Sequence, residues 1–314
     1  METRPLGRTG FQVSAMSAGA AAMGGEYGER TQREVNETVD RAIELGVNYF
    51  DTSPYYGRTR SEEALGQALN GKRGKVFLST KTGRFDFDAF DFTEKRLRAE
   101  VDNSLRRLQT DHVDLLIAHD IEFADPALVL NEGLPTLQAL KEAGKTRFIG
   151  VSGLPLHVLQ TAHEQFPHLD AILSYCRYCL NDTAMIPYAE RWRADGLGVI
   201  NASPLSMGLL THGGPQEWHP APKDLKAKAN EAAEWCAERG ANLAFLAMQF
   251  AFQCPAVDTT MTGTARRRHL ESNIEALNAP IDEEILNGVL DILRPVQNLS
   301  WPSGIESAWR KYQG

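Results

Sequence analysis

Asp51, Tyr56, Lys81 and His119 are side chains of the types that exchange protons, and each stands at or just beyond the end of a short apolar or β-branched run. A free phenol titrates near ~10, too high for a base at neutral pH. An ammonium close by favours the phenolate and lowers that value. Lys81 can supply the ammonium, Asp51 can pair with Lys81 and hold it, and His119 can hydrogen-bond the reacting oxygen. Tyr56 would then take a proton from an alcohol, or give one to a carbonyl, while a hydride passes to or from a cofactor. Taken singly, each has an ordinary alternative: a loop-capping aspartate, a core aromatic with a wet tip, a solvated lysine, a satisfied core histidine. Their joint placement on consecutive strands reads as chemistry, because a charge at a buried strand end is costly unless paired.

The elements that must position these groups follow from hydrophobic periodicity. Strands are predicted at Met16–Ala21, Val47–Asp51, Val76–Thr80, Val113–Ala118, Arg147–Val151, Ala171–Ser174, Gly198–Ala202 and Val257–Met261. Helical patterns lie between them, among them Gln32–Leu45, Ser61–Leu69, Thr93–Leu108, Pro135–Ala143, Pro155–Phe166 and Met185–Ala194. Gly46, Gly144 and Gly196 stand just past helical segments, where glycine accepts a left-handed cap. Eight strand–helix repeats close into a parallel barrel whose strand C-termini face the active site. The expected fold is therefore α/β, a (β/α)8 TIM barrel in which residues 1–314 form one domain. Leu6–Val13 reads as a β-hairpin over the barrel bottom. An open doubly wound sheet is the competing reading, but Ala20-Ala21-Ala22-Met23-Gly24-Gly25 after the first strand lacks the G-x-G-x-x-G spacing.

Two segments exceed simple connections, Leu209–Asp224 and the tail after Pro295, and each carries a tryptophan, Trp218 and Trp301. Long loops on a rigid scaffold often hold binding residues. Apolar sugar faces pack on aromatic rings, while hydroxyls need a few directed polar partners. Tyr56, His119, Asp120, Trp218 and Trp301 are accordingly the expected substrate contacts.

Composition narrows the class. The 314 residues are 42% hydrophobic and 24% charged, with a net charge of −8. That acidic balance argues against nucleic acid and against an anionic membrane surface. No apolar run is long enough to span a bilayer. The opening residues lack the apolar core of a secretory signal. The expectation is a cytoplasmic protein, monomeric or weakly homo-oligomeric, with a small-molecule partner. The four cysteines include Cys176-x-x-Cys179, but no second pair at ligand spacing accompanies it, so no metal site is expected.

The stretch Asn48-Tyr49-Phe50-Asp51-Thr52-Ser53-Pro54-Tyr55-Tyr56-Gly57 resembles the aldo-keto reductase signature, as do Leu6-Gly7-Arg8-Thr9-Gly10 and the spacing of Lys81 and His119. The resemblance runs over nearly the whole chain. It implies an NAD(P) cofactor held without a Rossmann domain and the roles already given for Asp51, Tyr56, Lys81 and His119. A closer likeness lies in Arg147–Leu156, Ile172–Tyr178, Ala202–Leu210, Pro215–Pro220 and Trp301–Ile305. These segments resemble the family members that oxidise C1 of L-galactose, L-fucose or related aldoses to the lactone. The implied reaction has Tyr56 as general base at the anomeric hydroxyl. The same tetrad would serve a reductase of pyridoxal or small aldehydes. It would also fit a cofactor-binding regulatory barrel without turnover.

The resemblance places the cofactor against Gly19, Ala20, Asp51, Ser152, Ser174, Ser203, Leu205, Gly208, Gly263, Thr264, Arg268 and Asn273. Several positions depart from the common family pattern. Ser152-Gly153 stands where many members have Ser-Asn, Ser174 where many have Gln, and Ala202 where many stack an aromatic ring. Gly263-Thr264 replaces the Lys-Ser of NADP-preferring relatives, and His269 replaces an Arg. The missing lysine removes one partner for a 2′-phosphate, which favours NAD, although Arg266, Arg267 or Arg268 could take its place for NADP.

Overall fold

The computed structural model describes residues 1–25 and 28–313. The chain opens with an antiparallel hairpin of β1 (Thr3–Pro5) and β2 (Gln12–Ser14). Eight strands follow: β3 (Met16–Gly19), β4 (Tyr49–Asp51), β5 (Phe77–Thr82), β6 (Val113–Ala118), β7 (Thr146–Gly153), β8 (Ala171–Tyr175), β9 (Gly198–Ala202) and β10 (Thr259–Gly263). All their pairings are parallel, and β10 returns to β3 to close the barrel. The strands differ from the sequence expectation by at most two residues at an end.

The helices are α1 (Gln32–Glu44), α2 (Arg60–Ala68), α3 (Glu94–Arg107), α4 (Pro126–Leu128), α5 (Leu134–Glu142), α6 (Leu156–Gln165) and α7 (Ile186–Ala194). They continue as α8 (Lys223–Glu238), α9 (Leu243–Phe252), α10 (Arg267–Asn278), α11 (Glu283–Leu293) and α12 (Glu306–Trp309). The six helices expected from periodicity form within one residue at either end. α1 starts on a capping box, with Thr31 accepting from the Glu34 amide and Glu34 accepting from the Thr31 amide. The expected left-handed glycines appear at Gly46, Gly144 and Gly196, with φ of 88°, 76° and 83°. No helix among the described residues is long and apolar enough to cross a membrane.

Strand side chains alternate between two faces, and the barrel uses the two phases differently. Phe50, Leu78, Leu116, Ile149, Val151 and Ile172 point outward into the cluster packed under the helices. Tyr49, Phe77, Leu115, Ile117, Leu173, Ile200 and Met261 form a separate interior cluster. Leu6 and Val13 of the hairpin join that cluster, so the hairpin plugs the bottom with apolar side chains. It is latched there by the Arg8 amide, which donates to Gly196 O at 2.8 Å, and by the Gly7 amide, which donates to Asp258 Oδ2 at 3.2 Å. A third cluster lies outside the barrel, where Leu225, Ala229 and Ala233 of α8 pack with Val289 and Leu293 of α11. Trp301 of the tail packs into this same cluster.

Continuing the two interior phases upward gives the site. After Tyr49 the next inward position on β4 is Asp51; after Phe77 on β5 come Ser79 and Lys81; after Ile117 comes His119. Apolar layers below therefore turn polar at the C-terminal mouth.

α2 leads out of the loop that carries Tyr56, and it packs directly on the end of α3. A Cβ added at Gly66 would lie 2.3 Å from Arg107 O and 2.7 Å from Leu108 Cα. Alanine is a better helix former than glycine by ~1 kcal/mol, but overpacking against backbone costs ~1–3 kcal/mol. Gly66→Ala is expected to lower the urea midpoint. A raised midpoint would mean that the α2–α3 contact yields freely.

Candidate active site

Asp51 and Lys81 form an ion pair at the centre of the mouth, and both side chains are buried. Lys81 Nζ also donates to Thr52 O at 3.0 Å. Ser79 Oγ donates to the other carboxylate oxygen of Asp51 at 2.6 Å and lies 3.0 Å from the Tyr49 hydroxyl. Burial pushes the Asp51 carboxyl up from the ordinary range, against the pull of Lys81 and of the Ser79 hydroxyl. The pair is thus held on every side by groups of neighbouring strands, as a desolvated ion pair must be.

Tyr56 is brought over this pair by a tightly tied loop. The Tyr56 amide donates to Ser53 O at 3.1 Å, the Ser61 amide donates to Tyr56 O at 3.3 Å, and Ser61 Oγ donates to Ala20 O at 2.7 Å. Arg58 and Thr59, just beyond, both have positive φ, 51° and 75°. Left-handed backbone at a non-glycine residue is costly and persists where surrounding contacts over-determine it. The outcome is that Lys81 Nζ lies 4.7 Å from the centroid of the Tyr56 ring.

His119 completes the group, its ring 5.7 Å from that of Tyr56 and at 87° to it. Burial pushes its pKa well below the free value, helped by the Lys81 and Arg84 cations, so the ring is neutral. Ser53 Oγ lies 3.1 Å from Nδ1, and Asp120 Oδ2 lies 3.6 Å from Nε2. Ser53 Oγ already accepts from the Tyr55 amide at 3.1 Å, which leaves its hydroxyl proton for Nδ1. A carboxylate only accepts, so the proton-bearing nitrogen is assigned as Nε2, poised to donate.

Asp120 sits in left-handed backbone, φ 51°. Its carboxylate pairs with Arg84 at 2.5 Å, and burial raises its pKa against that pairing. The Arg84 guanidinium lies 3.9 Å from the Tyr55 ring centroid and 5.2 Å from that of Phe90. The Asp120 carboxylate stands beside His119 but beyond hydrogen-bond distance of it, and its bonded side-chain partner is Arg84.

A scan for known families finds the Aldo/keto reductase family over residues 15–293. The chain is 42% identical to the L-galactose dehydrogenase of Arabidopsis thaliana over 314 residues, 97% of this chain and 98% of that protein. The chain belongs to the aldo-keto reductase family. It is also 33% identical to the D-arabinose 1-dehydrogenase of Saccharomyces cerevisiae over 254 residues, 76% of this chain and 75% of that protein. The holo form of aldo-keto reductase AKR11C1 from Bacillus halodurans shares the fold, with a TM-score of 0.76 and 24% identity over 98% of this chain and 99% of that chain. Aldo-keto reductases are oxidoreductases acting on alcohol and aldehyde groups with a nicotinamide nucleotide, and this chain is such an enzyme.

Several of the positions expected to hold that nucleotide lie at the ends of β10, β3 and β4, which are neighbours in the barrel. Register sets Gly263 beside Gly19, and Gly19 beside Asp51. No atom lies within 4 Å of a Cβ built at Gly263, which leaves open space there. Thr264 and Arg268 border the start of α10, which has no side-chain cap, and Asn273 lies within that helix. Uncapped first-turn N–H groups are suited to phosphate oxygens. Ser203 and Gly208 lie after β9 in a segment with four positive φ values, from 49° to 95°, at Ser203, Ser206, Met207 and Gly208, and Leu205 lies within it. These features fit a dinucleotide. Ala20 is buried, with its amide donating to Asp51 O at 2.8 Å.

Other expected positions are differently placed. Ser152 Oγ accepts from the Asp120 amide at 3.2 Å. Ser174 is in phase with the outward Ile172, and its buried Oγ has no partner among the described residues. Ala202, where an aromatic was missing, has Tyr175 directly beside it in register. Trp218 is 59% exposed, whereas Trp301 is buried with its ring 5.1 Å from that of His219. Sequence reasoning passed over Ser53, Ser79, Arg84 and Glu122. Ser79 had a legible signal, two residues before Lys81 and so on the same face. Arg84 and Glu122 lie in loops, where no periodicity points.

Because His119 is buried and neutral, it takes up a proton only on unfolding as pH falls below 6.5. The unfolded state then binds more protons, and stability falls by up to ~1.4 kcal/mol per pH unit. His119→Gln is expected to flatten that decline in denaturant titrations at successive acid pH values. An unchanged slope would show that the ring is charged in the folded protein.

Proposed function

We propose that this enzyme is an aldose 1-dehydrogenase that oxidises C1 of L-galactose, or of an L-fucose-like aldose, to the aldonolactone with NAD. The observation that carries the reading is the buried Asp51–Lys81 pair beneath the Tyr56 ring, beside a neutral His119. The high identity to an L-galactose dehydrogenase along nearly the whole chain supports the choice of substrate.

The roles follow from that geometry. His119 donates from Nε2 to the oxygen at C1 and orients it. Tyr56 takes the proton of the anomeric hydroxyl. Lys81 stabilises negative charge as it forms on the phenolic oxygen, and Asp51 keeps Lys81 in place. The nicotinamide nucleotide, when bound, supplies the hydride acceptor. Gly19, Ser203, Leu205, Gly208, Gly263, Thr264, Arg268 and Asn273 would hold it, with Ala20, Asp51 and Ser152 nearer the reacting end; Ser174, in phase with the outward Ile172, is not assigned to it. Asp120, Trp218 and Trp301 are assigned to the sugar, Trp218 as an exposed ring at the rim. The absence of a lysine at Gly263 supports NAD over NADP. In this reading the chain works as one barrel domain in the cytoplasm, as a monomer or weak homo-oligomer.

The test is reduced-nucleotide formation from L-galactose, L-fucose, D-arabinose, D-glucose and pyridoxal, with NAD and NADP supplied separately. Turnover of one or two aldoses with NAD is expected. Silence on sugars, with reduction of small aldehydes, would leave the barrel and tetrad standing and overturn the substrate. In the active assay Tyr56→Phe should lower kcat by ~10²–10⁴-fold, the usual contribution of a general base, with cofactor binding nearly intact. Unchanged turnover would remove Tyr56 from its role. Lys81→Met should move the rising limb of the pH–rate profile upward; a profile that stays put would separate Lys81 from Tyr56.

A further inference from the structure

Glu122 is a buried carboxyl that the tetrad does not use. It lies two residues beyond Asp120, in the turn after β6, and is fully buried. Three donors from three different parts of the chain converge on its Oε1. They are the Leu154 amide just past β7 at 3.0 Å, the Tyr175 hydroxyl at the end of β8 at 3.4 Å, and Ser303 Oγ in the C-terminal tail at 3.0 Å. Its backbone carbonyl accepts from the Ile305 amide at 2.7 Å.

Its surroundings leave room for this side chain and little else. A Cβ added at Gly153 would lie 2.5 Å from Glu122 Oε2, and one at Gly304 would lie 2.3 Å from Glu122 O. Gly304 also has φ +59°, which glycine alone adopts freely. The Ser152-Gly153 departure therefore has a physical reason: the carboxyl of Glu122 occupies the space that a side chain at 153 would need. Glu122 Oε2 has no hydrogen-bond partner among the described residues. Burial, reinforced by the Asp120 carboxylate, pushes the Glu122 carboxyl up to about 8. At neutral pH it is thus uncharged, which is consistent with a hydrogen-bonding anchor rather than an ion-pair partner.

We propose that Glu122 is a positioning residue that fastens the C-terminal tail to the ends of β6, β7 and β8, so that the tail walls the substrate pocket and sets affinity for the sugar. The tail segment so fastened carries Trp301, which meets His219. His219 Nε2 in turn lies 3.0 Å from Ser206 O in the left-handed segment after β9. One carboxyl therefore links the tail, the Trp218–His219 loop and the strand ends around Asp120 and Tyr175. The link to sugar affinity rests on the aldose reading; the anchoring itself does not.

The test compares Glu122→Ala, Glu122→Gln and Ser303→Ala in the full-length enzyme, by hydrogen–deuterium exchange of the tail and by steady-state kinetics with the preferred aldose. Glutamine keeps the accepting oxygen for Leu154, Tyr175 and Ser303. It is expected to keep the tail protected and to hold KM close to the unmodified value. Glu122→Ala should speed tail exchange and raise KM about tenfold or more, the effect of leaving buried donors unpaired, with kcat changed less than about twofold. Ser303→Ala removes one donor and should give a smaller shift in the same two quantities. It also decides the matter should Glu122→Ala not fold. Tail exchange unchanged in Ser303→Ala and Glu122→Ala would overturn the proposal. So would Glu122→Gln as damaged as Glu122→Ala. Should the unmodified enzyme turn over no aldose, the substrate reading alone fails, because tail exchange still reports on the anchor.

Discussion

Everything at the mouth of this barrel depends on one buried ion pair, Asp51 with Lys81. Two desolvated charges are costly apart from each other, and their attraction offsets that cost only where geometry is fixed and the remaining polar valences are filled. The barrel meets both conditions. Asp51 and Lys81 come from adjacent parallel strands, with Ser79 in register beside Asp51 and Lys81 two residues further on; Ser79 fills the second carboxylate oxygen, and Thr52 O accepts from the ammonium. A pair so held leaves the ammonium in one place. The Tyr56 ring is then set over it by a loop whose backbone strain is absorbed at Arg58 and Thr59.

The two ends of the barrel divide the labour. The bottom is closed by apolar residues of the strands and hairpin, which supply burial without polar cost. The top collects Asp51, Lys81, His119, Asp120 and Glu122, all buried and each with a named partner or electrostatic role. Two cations and two neighbouring carboxyls make the local field uneven. Around His119 burial, helped by the Lys81 and Arg84 charges, keeps the ring neutral. Around Glu122 burial, reinforced by the Asp120 carboxylate, keeps the proton on the carboxyl. One environment thus holds a neutral imidazole and a protonated acid a few residues apart, the first beside the Tyr56 ring and the second accepting from Leu154, Tyr175 and Ser303.

The peripheral segments matter because the barrel itself is generic. A closed eight-stranded core is a scaffold that many activities share, and specificity belongs to whatever covers the mouth. Here the covering is assembled from the loop after β9, the tail and the turn after β6. They meet through a shared apolar cluster, in which Leu209, Leu210 and Ala221 pack with Val296 and Trp301, and through a small number of hydrogen bonds.

By itself, the sequence determined the elements and which ionisable groups stand at the strand ends. Alternation at period two and helical periodicity are local, so strands and six helices could be placed within a residue or two, and Asp51, Lys81 and His119 identified as inward strand-end residues. The motif around Tyr56 was legible as a contiguous stretch, although its loop is also tied to Ala20 by Ser61. Only the tertiary structure decided which loop groups meet. Arg84 reaches Asp120 across 36 residues, Ser53 reaches His119 across 66, and Ser303 reaches Glu122 across 181. Loops carry no period, and such contacts are fixed by barrel closure and by the desolvation of polar groups that must find partners wherever the fold brings them. For that reason Gly153 read as a missing side chain in the sequence, while in the fold it is the space into which Glu122 fits.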